Sequence, residues 1–125
     1  MLFRSDRISR SPLVRETIFE TDISIQNQPF LDDHKVGGAV VAPGALFLSM
    51  AVSAAASMAT RSSLDSSSVS FKIEDAIFPQ PLRLTESDAR TLQLVCQEDH
   101  PGEQSFQLIS LVSSDEYHKI GRAHV

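Results

Sequence analysis

The clearest periodicity in the chain lies after Pro43, where Leu48, Ala51, Val52, Ala55 and Ala59 fall at helical spacing and predict a helix over residues 45–59. Pro43 stands just ahead of it, where a missing N–H costs nothing. Only Ser49, Ser53 and Ser57 break the apolar character of this stretch, so the helix is expected to be wrapped by other structure rather than to lie on a surface. Elsewhere the period shortens. Residues 17–25 set Ile18, Ile23 and Ile25 among polar neighbours in partial alternation, which predicts a strand ended by Pro29. Further strands are predicted over residues 69–78, 91–97 and 105–112, with breaks at Pro79-Gln80-Pro81 and Pro101-Gly102. Residues 29–42 hold the turn-prone pairs Asp32-Asp33 and Gly37-Gly38 ahead of Val40-Val41, and read as a bent loop around a short strand. The serine-rich residues 61–68 read as a surface loop leaving the helix.

One buried helix with a mostly antiparallel sheet is an α+β arrangement in which the helix sits on the concave face, the architecture called the hotdog fold. A length of 125 residues allows one such domain and one modest core. Composition narrows the function classes. A net charge of −5 without a Lys/Arg cluster argues against nucleic acid and anionic membrane surfaces as partners. The lone Cys96, in register with Leu92 and Leu94, reads as a small buried hydrophobe, and no Cys/His spacing offers a zinc site. His100, His118 and His124 likewise share no ligand spacing. With a single cysteine a reducing cytoplasm is expected, and Arg4, Asp6, Arg7 and Arg10 interrupt the apolar core a secretory signal would need. Residues 36–59 are mostly uncharged, yet Gly, Ala and Ser dominate them and Pro43 interrupts them, so no membrane span is expected.

The segment His34-Lys35-Val36-Gly37-Gly38-Ala39-Val40-Val41-Ala42-Pro43 reads HxxxGxxxxP, and it resembles the dehydratase signature of polyketide synthases. Gly44-Ala45 extends the match. Similarity continues through Ser11-Pro12-Leu13 and Pro29-Phe30-Leu31 upstream and through residues 73–82 downstream. The resemblance implies a domain of two hotdog halves in one polypeptide, of which this chain is the first. The first half supplies a histidine and the second an aspartate. Together they remove water from a 3-hydroxyacyl thioester on an acyl carrier protein and leave an α,β-unsaturated thioester. The resemblance further implies no cofactor of its own, since the carrier's phosphopantetheine arm presents the substrate. It implies the acyl carrier protein and neighbouring synthase domains as partners. Without its second half the hotdog exposes a sheet edge and could pair with itself as a homodimer.

His34 is the candidate base, because an ordinary imidazole with a pKa of about 6.5 offers a neutral nitrogen near neutral pH. By resemblance, the N–H of Gly38 stabilises the oxyanion that forms on the thioester, and glycine there lets the backbone approach closely. Pro43 holds the start of the helix, whose positive dipole end favours the same charge. Phe30, Leu31, Val40 and Phe47 are candidates for an acyl pocket, although residues of these types are more often plain core. No carboxylate stands in a second-half motif; Glu74 and Asp75 belong to the first-half pattern.

The match fades at the end, where Tyr117-His118-Lys119-Ile120-Gly121 stands in place of the family's tryptophan and His-Ala-x-Gly run. Residues 120–125 resemble one reading frame of a short-read sequencing adapter, and residues 2–5 the translated opposite adapter. Residues 1–5 are therefore read as an artefactual or disordered end and residues 120–125 as an artefactual end, flanking a hotdog over residues 6–119. Two other readings stay open: a standalone hotdog that dimerises to act as a hydratase or thioesterase, and a non-catalytic hotdog that binds acyl thioester or acyl carrier protein.

Overall fold

Alternation builds the centre of the fold. A computed structural model describes residues 7–61, 71–85, 89–100, 103–112 and 115–124. In it β7 (Arg90–His100) turns Leu92, Leu94 and Cys96 inward, all fully buried. It is flanked by β2 (Glu16–Ile23) and β8 (Glu103–Leu111), with β1 (Arg7–Arg10), β9 (Tyr117–His124) and β5 (Glu74–Ile77) farther out. Together they form a six-stranded antiparallel sheet in the order β1-β2-β7-β8-β9-β5. A second sheet of three short strands joins β3 (Lys35–Val36), β4 (Ala39–Val41) and β6 (Arg83–Leu84). The helix α1 (Gly44–Arg61) buries Leu46, Phe47, Met50, Ala51, Ala54 and Ala55 in the common core. Leu48, Val52 and Ala56, on its other face, remain half-buried. This one-helix, antiparallel architecture is the hotdog arrangement expected from the pattern.

The strand over residues 17–25 forms, but its inward face is Thr17, Phe19, Thr21 and Ile23. Ile18 and Ile23 are five residues apart, and a period of two must place them on opposite faces. Ile18 therefore points outward with Glu20 and Asp22. The outward carboxylates tie three strands together. The Arg7 guanidinium reaches Glu20 at 2.8 Å and Asp22 at 3.2 Å. From β7, Gln93 donates to Glu20 at 3.0 Å and Thr91 to Asp22 at 2.8 Å. Gln93 first and then Arg7 hold the Glu20 carboxyl below its ordinary range, and Thr91 and then Arg7 do the same for Asp22. A depressed carboxylate contributes stability above its unfolded pKa and loses it as pH falls through the folded value. The urea midpoint is accordingly expected to fall between about pH 5 and pH 3, and an Asp22→Asn, Glu20→Gln variant to show a flatter profile.

β1 and β6 span four and two residues, too short to leave a readable period. In β9, Leu108 faces Gly121 and Ile109 faces Lys119, so Ile120 is the extra residue of a β-bulge. The bulge lets Ile120 and Gly121 both turn inward although they are adjacent. Residues 120–124, set apart by the adapter resemblance, form the second part of this strand. The serine-rich segment beyond Arg61, the Pro101-Gly102 break and residues 1–5 lie outside the described residues. No helix among the described residues is long and apolar enough to cross a membrane.

The bent loop resolves into a 3-10 turn over Pro29–Asp33 followed by a tight hairpin. Val36 pairs with Ala39, leaving Gly37 and Gly38 as a two-residue connection with φ of 60° and 82°. Positive φ at both central positions is the requirement of a type I′ turn, whose twist matches its strands. An added Cβ at Gly38 would meet nothing within 4 Å, so conformation alone sets the cost. Gly38→Ala is expected to lower unfolding free energy by about 1–2 kcal/mol, measured by urea denaturation, and Gly38→Asn by less.

Candidate active site

His34 follows the 3-10 turn, and the turn is what places it. Leu31 is completely buried and pins the turn to the core. Its N–H bonds the Gln28 carbonyl, and its own carbonyl accepts the His34 N–H, both at 3.0 Å. The His34 backbone donor is thereby used up before the hairpin begins. In the hairpin His34 lies opposite Val41, one pair beyond Lys35 and Val40. The Val41 N–H bonds the His34 carbonyl at 3.1 Å, as in a regular antiparallel pair. The reciprocal bond is made by the ring: Nδ1 lies 2.6 Å from the Val41 carbonyl oxygen. A carbonyl can only accept, so Nδ1 carries the proton, and in the neutral ring Nε2 keeps its lone pair. The ring is exposed and oriented by the backbone, an arrangement suited to a base.

Beside it lies a cavity of about 300 Å³. His34 and Gln80 are the polar side chains among its described lining residues; Phe47, Phe78, Leu82, Leu92, Leu108 and Ile120 make most of the remaining wall. Pro43 and Gly44 also line it, so the N-terminus of α1 opens onto the space, with the Leu46 N–H bonded to the Pro43 carbonyl at 2.9 Å. No Asp or Glu is among the described lining residues.

Two glycines make room for the wall. The Phe78 ring stands at 87° to Phe47, centroids 5.3 Å apart. A Cβ on Gly44 would lie 3.2 Å from Phe78, and one on Gly121 would lie 2.8 Å from Phe47 and 3.0 Å from Phe78. The aromatic pair thus sits over bare backbone on both sides. Such an edge-to-face pair contributes about 0.5–1.5 kcal/mol beyond its buried area.

The structure brings His34, Pro43 and Phe47 together around this cavity and places the other candidates elsewhere. Leu31 and Val40 are core residues, and Phe30 is 44% exposed. Gly38 occupies the exposed hairpin tip, outside the cavity lining. Cys96 is buried, and burial pushes its thiol pKa far up, so it is no nucleophile. The residues missed from sequence are Phe78, Gln80 and the floor formed by Leu92, Leu108 and Ile120. The alternation of Leu92, Leu94 and Cys96 marks an inward face, but nothing local says that one end of that face borders a cavity.

A model of the polyketide synthase dehydratase domain family matches residues 7–111. The chain is similar to the dehydratase domain from the CurJ module of the curacin polyketide synthase, at 32% identity and a TM-score of 0.79, over 97% of this chain and 40% of that one. It is also similar to the dehydratase domain from the CurF module of the curacin synthase, at 20% identity and a TM-score of 0.78, over 97% of this chain and 41% of that one. A third likeness is to the dehydratase domain from the terminal module of the rifamycin polyketide synthase, at 18% identity and a TM-score of 0.73, over 94% and 40% of the two chains. The last two, at these identities, speak to the fold alone. The chain spans about 40% of the length of these structures. No curated protein matches it by sequence.

Proposed function

Because this chain belongs to the polyketide synthase dehydratase domain family, we propose that it is the first half of an enzyme that dehydrates 3-hydroxyacyl thioesters carried by acyl carrier protein, with His34 as the base. The observation that carries this reading is the 2.6 Å bond from Nδ1 to the Val41 carbonyl, which leaves Nε2 free beside an apolar cavity.

The chemistry follows from that nitrogen. Nε2 takes the proton from the carbon next to the thioester carbonyl, and the electron pair moves toward the carbonyl oxygen. Charge on that oxygen is stabilised by N–H groups fixed in a water-poor site. The first turn of α1, which opens on the cavity at Gly44, adds its N–H groups and dipole to this role beside the Gly38 N–H. The hydroxyl then leaves from the neighbouring carbon as water, taking a proton from an acid, and the α,β double bond forms. The acid belongs to the second hotdog half. The half-buried apolar face of α1 and the edges at β1 and β5, which no strand among the described residues pairs, are surfaces such a half could cover. The phosphopantetheine arm of the carrier presents the substrate, and the reaction needs no cofactor of the chain's own.

The test is reconstitution. Expressed together with a second dehydratase half, the chain is expected to convert a carrier-bound 3-hydroxybutyryl thioester to its unsaturated product, read by mass spectrometry as loss of one water. The chain alone should give none. An assembled pair that binds the thioester and leaves it unchanged would replace this proposal with the non-catalytic reading.

A further inference from the structure

A second cavity of about 290 Å³ shares Gln80, Pro81, Leu82 and Ile120 with the cavity beside His34. Its remaining described lining residues are Arg83, Arg90, Ser110 and His118. We propose that this cavity is an oxyanion subsite, which receives a phosphate or carboxylate carried by the thioester substrate while the reacting carbons lie beside His34. The identity of the ligand rests on the dehydratase reading; the anion site itself does not.

Four strands bring the cluster together. Arg83 on β6 pairs with Val41, the residue whose carbonyl orients His34, so the first guanidinium is rooted across β4 from the base. Arg90 opens β7 and shares the inward face of Leu92, Leu94 and Cys96 by the period of two. Ser110 on β8 lies between Leu92 on one side and His118 on the other. These residues are far apart in sequence, and only the pairing of β4 with β6 and of β7, β8 and β9 collects them.

The chain carries a net charge of −5, yet the described lining of this cavity holds two arginines and no carboxylate. Neither arginine makes an ion pair among the described residues. Guanidinium groups present paired N–H donors that match the oxygens of phosphate or carboxylate. Ser110 is the independent observation. It is 2% exposed, and its buried hydroxyl has no hydrogen-bond partner. A buried hydroxyl without a partner costs free energy and is uncommon in folded proteins. An anion oxygen in the adjoining cavity would accept its proton. His118 and the Gln80 amide can add donors on either side. The first cavity is apolar and the second cationic, and a ligand matching both has a neutral reacting stem and an anionic end.

Binding to the 125-residue chain tests this. Calorimetry would compare pantetheine with 4′-phosphopantetheine and, on unphosphorylated pantetheine, a butyryl with a succinyl thioester. At least one anionic member is expected to bind about ten-fold more tightly than its neutral counterpart, the scale of one charge-assisted contact. Preference in the first pair assigns the site to the phosphate of the arm, and preference in the second to an acyl carboxylate. The preference should vanish in Arg83→Gln, Arg90→Gln and largely survive in Arg83→Lys, Arg90→Lys, with circular dichroism confirming the fold; Arg90→Gln alone serves if the double variant does not fold. Equal binding within both pairs, or a preference that the glutamine variants leave intact, overturns the proposal. The readout is binding, so a reconstituted pair that fails to dehydrate would sink the catalytic reading and leave this one standing.

Discussion

Replacing His34 with alanine is expected to reduce dehydration by the reconstituted domain roughly 10²–10⁴-fold, the usual contribution of a positioned general base. The fold should barely notice. The ring is exposed, and what the fold loses is its bond to the Val41 carbonyl, an interaction of about 1 kcal/mol. The turn before it is held by Leu31 and by backbone bonds that alanine keeps. His34→Gln separates two roles of the ring. Glutamine can still offer an N–H toward Val41 but has no basic nitrogen, so it should recover stability without recovering activity. Turnover measured beside urea midpoints for the two variants decides the matter. Activity within ten-fold of the parent in either variant would remove His34 from the role of base.

The second large effect is expected where α1 meets β9. Phe47 is 2% exposed, stacked edge-on to Phe78 and pressed against the bare backbone of Gly121. Phe47→Ala should cost about 3–5 kcal/mol, the range for removing a buried aromatic and leaving a cavity. A domain of this size has about 5–15 kcal/mol in total, so this variant approaches the limit of folding. Gly121→Val attacks the contact from the other side. Its Cβ would stand 2.8 Å from the Phe47 ring, and the helix or the ring must move. Overpacking of this kind costs about 1–3 kcal/mol. Changes on the two sides of one contact should not add: with the milder Phe47→Leu on the helix side, the Gly121→Val, Phe47→Leu double variant is expected to be more stable than the sum of its own two singles by about 0.5–3 kcal/mol. Urea denaturation of the four proteins closes the cycle. Simple additivity would mean that Gly121 is not held as glycine by Phe47.

The same aromatic contact bears on function. Phe47 and Phe78 form part of the wall of the cavity beside His34, so a shift of the helix on β9 alters the site and the stability together. Gly38→Ala, in contrast, strains an exposed hairpin tip with open space around it. Comparing the two glycines separates a residue required for its φ from one required for its lack of a side chain.

What could be read without tertiary structure was everything that depends on neighbours within about one turn of chain. Helical spacing after Pro43 marks α1, the Gly37-Gly38 pair marks the hairpin, and period-two runs mark β7 and β8. The HxxxGxxxxP spacing carries the family and singles out His34. These features are legible because hydrophobic periodicity and turn chemistry are local properties of the chain. The face of β2 was legible in principle, since the parity of Ile18 and Ile23 forbids their sharing a side. What the tertiary structure alone decided is which residues meet. The proton on Nδ1 of His34 follows from its pairing with Val41 across the hairpin. The bulge at Ile120 sets Gly121 beneath Phe47, and the ends of β6, β7, β8 and β9 gather Arg83, Arg90, Ser110 and His118 around one space. Register between distant strands is set by the burial of whole faces at once, a collective property that no single segment of the sequence encodes.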